Sequence, residues 1–197
     1  MGLKVGITGG IGAGKSIVCQ IFKVLGIPVY DADREAKNIM VDDATVVESL
    51  KQAFGKQVYQ SSGELDRAYL SEVVFNDKDK LALLNSIVHP AVIRAGALWA
   101  DAQRGPYSLK EAALLFESGS YKNLDFTIMV TADEAIRIQR VMERDKVTEQ
   151  QARARMEKQW PDRDKMPLAD AIILNDGVES LISQVMALHE RLINYEK

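Results

Sequence analysis

Gly9-Gly10-Ile11-Gly12-Ala13-Gly14-Lys15-Ser16 has the pattern G-x-x-x-x-G-K-[ST] and stands directly behind the apolar run Val5-Gly6-Ile7-Thr8. Glycines at this spacing let consecutive backbone N–H groups turn inward on a phosphate, and a following helix adds the positive end of its dipole. Lys15 is placed to reach outer phosphates and the Ser16 hydroxyl to ligate Mg²⁺. A strand before and a helix after separate this run from a chance glycine-rich turn. Binding of a nucleoside triphosphate is therefore expected.

Other residues are placed to act on such a ligand. Asp33 follows the short apolar run Ile27–Tyr30, where its carboxylate is suited either to accept the proton of an attacking hydroxyl or to hold Mg²⁺ through water. Asp31 has a third option, as a helix cap. Arg137, Arg140 and Arg144 are spaced i, i+3 and i+7, which puts three guanidinium groups on one helix face opposite Ile136, Ile138, Val141 and Met142. That face suits a phosphate chain, with a solvated basic stripe paired to Glu134, Glu143 and Asp145 as the alternative. Arg67 is a candidate for a substrate phosphate or an ordinary surface residue, and His89 a substrate contact or a structural residue at the first turn of a helix begun by Pro90. Cys19 reads as a core thiol, and Trp99 and Trp160 as packing residues. The two histidines, His89 and His189, have no nucleophile motif nearby, so no hydrolase triad is expected.

The elements that must position these groups read as alternating strands and helices. Leu3–Thr8 is a buried strand; Ser16–Leu25 is a helix stopped by Gly26 and Pro28; Ile27–Tyr30 is a second strand. From Arg34 to about Gln103 the pattern is mostly helical, broken by Ser61-Ser62-Gly63. Strands return at Tyr107–Phe116, where Lys110 and Glu111 interrupt the apolar character, and at Phe126–Val130. Thr131-x-x-Glu134 and Thr148-x-x-Gln151 have capping-box spacing and open helices running to about Arg144 and Gln159. Ala171–Leu174 is a last strand, Asn175-Asp176-Gly177 a turn, and Leu181–Leu192 a closing helix. The expected fold is α/β, with a parallel sheet of about five strands flanked by helices, a helical insert after the second strand and a helical excursion before the last.

With 197 residues, a net charge of −3 and one cysteine, the chain suits a single domain without disulfides or a multi-cysteine metal cluster. The acidic balance argues against general binding to nucleic acid or an anionic membrane. No basic-then-apolar leader and no long apolar span is read, so a cytoplasmic protein is expected. Oligomeric state is not legible.

Seven segments in order resemble the dephospho-coenzyme A kinase family: Thr8 to Ser16, Asp31-Ala32-Asp33, Gly63-Glu64-Leu65-Asp66-Arg67, His89-Pro90, Leu114-Leu115-Phe116-Glu117, Arg140-x-x-x-Arg144-Asp145 and Asn175-Asp176-Gly177. The resemblance implies a P-loop kinase fold with a core at about 1–33, 104–135 and 166–197, a helical acceptor-binding insert at about 34–103 and a lid at about 136–165. It implies that Gly12, Ala13, Gly14, Lys15, Ser16 and Ile17 wrap the phosphates of ATP, that Ser16 ligates Mg²⁺, and that Asp33 is the base for the ribose 3′-hydroxyl of dephospho-coenzyme A. Arg140 is then the lid arginine, with Arg144 supporting it, Asn175 to Gly177 near the ATP base, and Arg67 and His89 on the acceptor side. The chain departs from the family pattern at Ile17, where Thr is usual, at Ala113, where Pro is usual, and at Glu111, where Asp is usual. Two other readings compete: a nucleoside monophosphate kinase of the same core, and a slowly hydrolysing switch protein, for which no Asn-Lys-x-Asp run is present.

Overall fold

The computed structural model describes residues 2–75 and 77–195, so the outermost residues of the two terminal core segments lie outside it. Five strands among these residues, β1 (Leu3–Gly9), β2 (Val29–Asp31), β3 (Tyr107–Glu111), β4 (Phe126–Thr131) and β5 (Ala171–Leu174), form one sheet in the order β2-β3-β1-β4-β5. All neighbouring pairs are parallel. Nearly every residue of β1 and β4 is buried, as a strand covered on both faces requires.

The helices are α1 (Lys15–Val24), α2 (Ala32–Asp42), α3 (Ala44–Phe54), α4 (Arg67–Phe75), α5 (Lys78–Ala102), α6 (Glu134–Asp145), α7 (Glu149–Met156), α8 (Asp162–Lys165) and α9 (Leu181–Ile193). Contacts divide the chain into two compact units, one of residues up to Asp31 together with those from Trp99 onward, the other Ala32–Leu98.

In the first unit α1 buries Val18, Cys19 and Phe22, and α9 buries Val185, Leu188 and Leu192, in one core with Val5, Ile7, Leu109 and Ile128. Phe22 meets Tyr107 edge to face at 6.2 Å, and the Tyr107 hydroxyl lies 2.7 Å from Nδ1 of His189. Gly26 ends α1 in the left-handed region (φ 81°), where its N–H bonds the Lys23 carbonyl and the Ile27 N–H reaches back to Phe22. Such a stop favours glycine because no Cβ obstructs it. Trp99 packs on Tyr30, with ring centroids 5.3 Å apart.

The second unit is held by buried Val46, Leu50, Phe54, Val58, Tyr59 and Leu70. Asp43 caps α3 by accepting from the N–H groups of Thr45 and Val46, and Asp66 accepts from the Tyr69 N–H at the start of α4. The expected break at Ser61-Ser62-Gly63 is the turn of a small antiparallel bridge between Tyr59 and Leu65.

Several local expectations are corrected. The strand at Tyr107 ends at Glu111 rather than Phe116: the Ala112 N–H makes a last bond to the Ile7 carbonyl, and the chain turns from Ala113 onward. Thr131 does not cap α6. It remains in β4 and gives its hydroxyl to Asp162 Oδ2 at 2.7 Å, leaving Asp133 at the cap position. The capping box at Thr148 and Gln151 does form. Pro90 lies inside α5, not at a helix start. That same helix is long and apolar enough to cross a membrane by length and composition, with a mean hydropathy of 1.4, contrary to the expectation of no such span. Asn85, Ser86, His89 and Pro90 mask the run to the eye, but they are outweighed by the leucines, valines, isoleucines and alanines around them.

Two predictions follow from the core of the first unit. Phe22→Ala removes a fully buried ring and is expected to cost about 3–5 kcal/mol, lowering the urea midpoint at unchanged slope, whereas Val24→Ala on the exposed side of α1 should shift it by less than about 0.5 kcal/mol. Burial, with the negative charge of Glu111 adding to it, pushes the Cys19 thiol well above its ordinary 9.0. Above that pH the unfolded chain loses a proton that the folded chain keeps, so stability should fall as pH rises past 9.0 and be unaffected by this group below it. Cys19→Ala should flatten the alkaline limb in denaturation measured from pH 8 to 11, a range set about the ordinary thiol value.

Candidate active site

Strand register sets out the site before any side chain is considered. Glu111 pairs with Ile7 of β1 and with Asp31 of β2, Gly9 pairs with Val130, and Thr131 pairs with Leu174. The carboxyl ends of all five strands thus come level along one edge, where open parallel sheets bind ligands.

The loop Gly10–Gly14 crosses that edge between β1 and α1. Each of its carbonyls is engaged. Gly10 accepts from the Ala13 N–H at 3.0 Å and Gly14 from the Ile17 N–H at 3.0 Å. Ile11 accepts from Arg137 Nε at 3.0 Å, Gly12 from Arg140 Nη1 at 3.5 Å, and Ala13 from Asn175 Nδ2 at 2.9 Å. The amides of Lys15 and Ser16 precede the first intrahelical bond of α1 and sit at the positive end of its dipole. Gly14 caps this helix in the left-handed region (φ 89°), with the Asn175 side-chain amide standing where a Cβ would go. The loop opens on a cleft of about 810 Å³ that is lined by Gly12, Lys15, Ser16, Ile17, Arg140 and Arg144 among others.

Lys15 Nζ lies 2.7 Å from Glu111 Oε1, both side chains being nearly buried, and Ser16 Oγ lies 3.5 Å from the same oxygen. The lysine and hydroxyl expected to face phosphate therefore converge on a carboxylate at the end of β3. Of these, the Ser16 hydroxyl and the Glu111 carboxylate are hard oxygen donors of the kind that fits Mg²⁺, which is bound through one or two protein oxygens together with phosphates and water.

The three arginines of α6 divide. Arg140 lines the cleft and donates to the backbone carbonyl of Asn175 at 3.1 Å and to its Oδ1 at 3.4 Å. Arg144 lies at the rim, largely exposed and bidentate on Asp145 at 2.7 and 3.0 Å, which holds its pKa above the ordinary value. Arg137 is buried behind the loop, where it pairs with Asp162 at 2.8 Å. The row of three thus splits into one arginine in the cleft, one at its rim and one beneath the loop. The apolar side of α6 packs as expected, with Ile138 and Val141 buried against α7.

In the second unit Asp33 lies in the first turn of α2 and is exposed, two residues beyond the end of β2. Arg67 is the exposed first residue of α4, behind the cap Asp66, and His89 is half-buried in the middle of α5. Trp160 is 46 % exposed and is not a packing residue.

Two contributors were not read as site residues from the sequence. Gln159 accepts the Ile11 N–H at 2.8 Å from the turn after α7, a position whose only signal is a polar side chain two residues before Pro161. Glu111 was visible as the residue that spoils the apolar character of its strand, and a carboxylate at the carboxyl end of a parallel strand is itself a signal of function.

A family model described as dephospho-CoA kinase matches residues 3–180. The chain is 40 % identical over 199 residues to the dephospho-CoA kinase of Chlorobaculum tepidum, covering 97 % of this chain and 95 % of the relative. To that of Geobacillus kaustophilus it is 39 % identical over 201 residues, covering 100 % of both. The solved structure of dephospho-CoA kinase from Campylobacter jejuni superposes with a TM-score of 0.71 at 28 % identity, covering 98 % of each chain. A phosphate loop on a β2-β3-β1-β4-β5 parallel sheet, matched over nearly its whole length, places this chain in the dephospho-CoA kinase family.

Proposed function

We propose that this chain transfers the γ-phosphoryl group of ATP to the ribose 3′-hydroxyl of dephospho-coenzyme A, forming coenzyme A. The observation that carries the reading is the cleft in which Lys15, Ser16 and Arg140 meet the amino end of α1. Phosphoryl transfer asks a protein chiefly to align donor and acceptor and to stabilise charge spreading over the transferring group.

The chain's own groups fit that task. The loop amides and the α1 dipole hold the phosphates, and Ile17 contributes its backbone there, its side chain offering no hydroxyl. Lys15 exchanges Glu111 for the outer phosphates, and Arg140, a planar and permanently charged fork, turns from the Asn175 carbonyl to the transferring group. Arg144 supports it from the rim, and Asn175 to Gly177 lie toward the adenine. Ser16 and Glu111 would hold Mg²⁺, which when bound would supply charge neutralisation at the phosphates. Asp33, just beyond the carboxyl end of β2, accepts the proton of the attacking hydroxyl. Arg67 and His89 belong to the acceptor side, resting on the family likeness. In this reading residues 34–103 form the acceptor-binding insert, 136–165 the lid, and 1–33, 104–135 and 166–197 the core, of an enzyme that works in the cytoplasm.

Product analysis with γ-labelled ATP and a panel of acceptors tests the assignment. Label on the 3′-position of dephospho-coenzyme A is expected; label in free phosphate alone, or on a nucleoside monophosphate, would overturn it. Arg140→Ala should lower kcat by about 10³-fold while the fold persists by circular dichroism, and unchanged turnover would remove Arg140 from the mechanism. Asp33→Asn should lower kcat by about 10²–10⁴-fold and leave the affinity for ATP in place. Ser16→Ala and Glu111→Gln should each raise the Mg²⁺ concentration needed for half-maximal rate, measured at saturating ATP. An unaltered metal requirement in both would dismiss that pair as the Mg²⁺ site.

A further inference from the structure

Arg137 is the member of the arginine row that phosphoryl transfer does not use. It is also the one with the most demanding surroundings. Its Nε donates to the Ile11 carbonyl at 3.0 Å while its Nη1 pairs with Asp162 Oδ2 at 2.8 Å, the side chain being only 9 % exposed. The approach is close enough to dictate sequence in the loop. A Cβ at Gly10 would strike the Arg137 guanidinium and stand 3.0 Å from Asp162 Oδ1, and one at Gly12 would stand 2.5 Å from the Arg137 carbonyl oxygen.

Asp162 is itself fixed from two sides, by Arg137 and by the Thr131 hydroxyl at 2.7 Å. Behind it Lys165, fully buried, lies 3.7 Å from Asp162 Oδ1 and 3.8 Å from Glu117 Oε1, and Glu117 Oε1 accepts the Trp160 N–H at 3.1 Å. Two cations and two anions therefore balance in a nearly dry place. Their hydrogen bonding is incomplete, since Lys165 Nζ, Asp162 Oδ1 and Glu117 Oε2 have no hydrogen-bond partner among the described residues. A buried ion cluster with open valences is a poor source of stability, but it does fix orientation. The orientation fixed here is that of a planar fork with one donor on the loop and another on Asp162. A lysine in its place would supply the charge and only one point of attachment.

We propose that Arg137 is a positioning residue for the donor site: held by Asp162, whose own place is set by Thr131, it anchors the Ile11 carbonyl and so keeps the phosphate loop in its ATP-binding shape. The inference rests on the nucleotide reading of the cleft, and the two fail separately. ATP binding by the unaltered protein, measured by calorimetry, is read first; no heat with MgATP would overturn the donor site itself.

With binding established, steady-state constants for both substrates are compared in Arg137→Lys, in Thr131→Val and in the double variant. Arg137→Lys should raise the KM for ATP at least tenfold and leave the KM for dephospho-coenzyme A within twofold. Thr131→Val, which deletes only the hydroxyl on Asp162 and keeps a β-branched strand residue, should raise the KM for ATP two- to fivefold with the same selectivity. The double variant should be no worse than Arg137→Lys alone, because both act through one bond to the loop. Lys4→Ala, which breaks an ion pair with Asp101 at the amino end of β1, away from the loop, should leave both constants unchanged. Lower melting temperatures with both KM values unchanged in Arg137→Lys and Thr131→Val would overturn the proposal and leave the cluster merely structural. Multiplying effects in the double variant, or equal losses toward both substrates, would overturn it too.

Discussion

A loop that turns its N–H groups toward an anion must place its carbonyls elsewhere, and this requirement organises the molecule around residues 10–14. Two of the five carbonyls are satisfied within the loop and the start of α1, by Ala13 and Ile17. The other three take side chains from α6 and from the turn after β5: Arg137, Arg140 and Asn175. Buried backbone acceptors are costly to leave unpaired, so the loop's shape is as much a property of these distant partners as of its own glycines. The parallel sheet supplies the frame, because its register brings the ends of β1, β4 and β5 to one edge within reach of each other.

Charge at the site follows the same logic. A buried ammonium needs a counter-charge, and Glu111 provides one for Lys15 at the level where β3 leaves the sheet. The Ser16 hydroxyl lies 3.5 Å from the same oxygen, so one carboxylate gathers the two polar side chains that open α1. From the end of β3 the Glu111 side chain is long enough to reach both Lys15 and Ser16.

Much of this was legible in the sequence because it is local. The phosphate-loop pattern carries its own flanking strand and helix, the apolar spacing of Val18 and Phe22 fixed the buried face of α1, and the run Ala171–Leu174 was read to the residue. What escaped depends on residues far apart in the chain. Helical periodicity puts Arg137, Arg140 and Arg144 on one face but says nothing of what lies against that face, and only the fold shows that Asp162 and Ile11 claim the first of them. Thr131 and Glu134 have the spacing of a capping box, yet a hydroxyl goes to the best acceptor in three dimensions, which is Asp162. Gln159 had no pattern to betray it, since a side chain that caps a single amide needs no periodicity. Pro90 misled because proline usually begins helices; α5 accommodates it internally.

The bond between the Asn175 side chain and the Ala13 carbonyl spans 162 positions, and those from Arg137 and Arg140 span 126 and 128. During synthesis the glycine-rich segment is made well before any of these partners, so β1 and α1 wait with the turn between them lacking three of its carbonyl partners. The shape of this turn is therefore completed late in the order of synthesis, once α6, β5 and the turn beyond β5 have emerged.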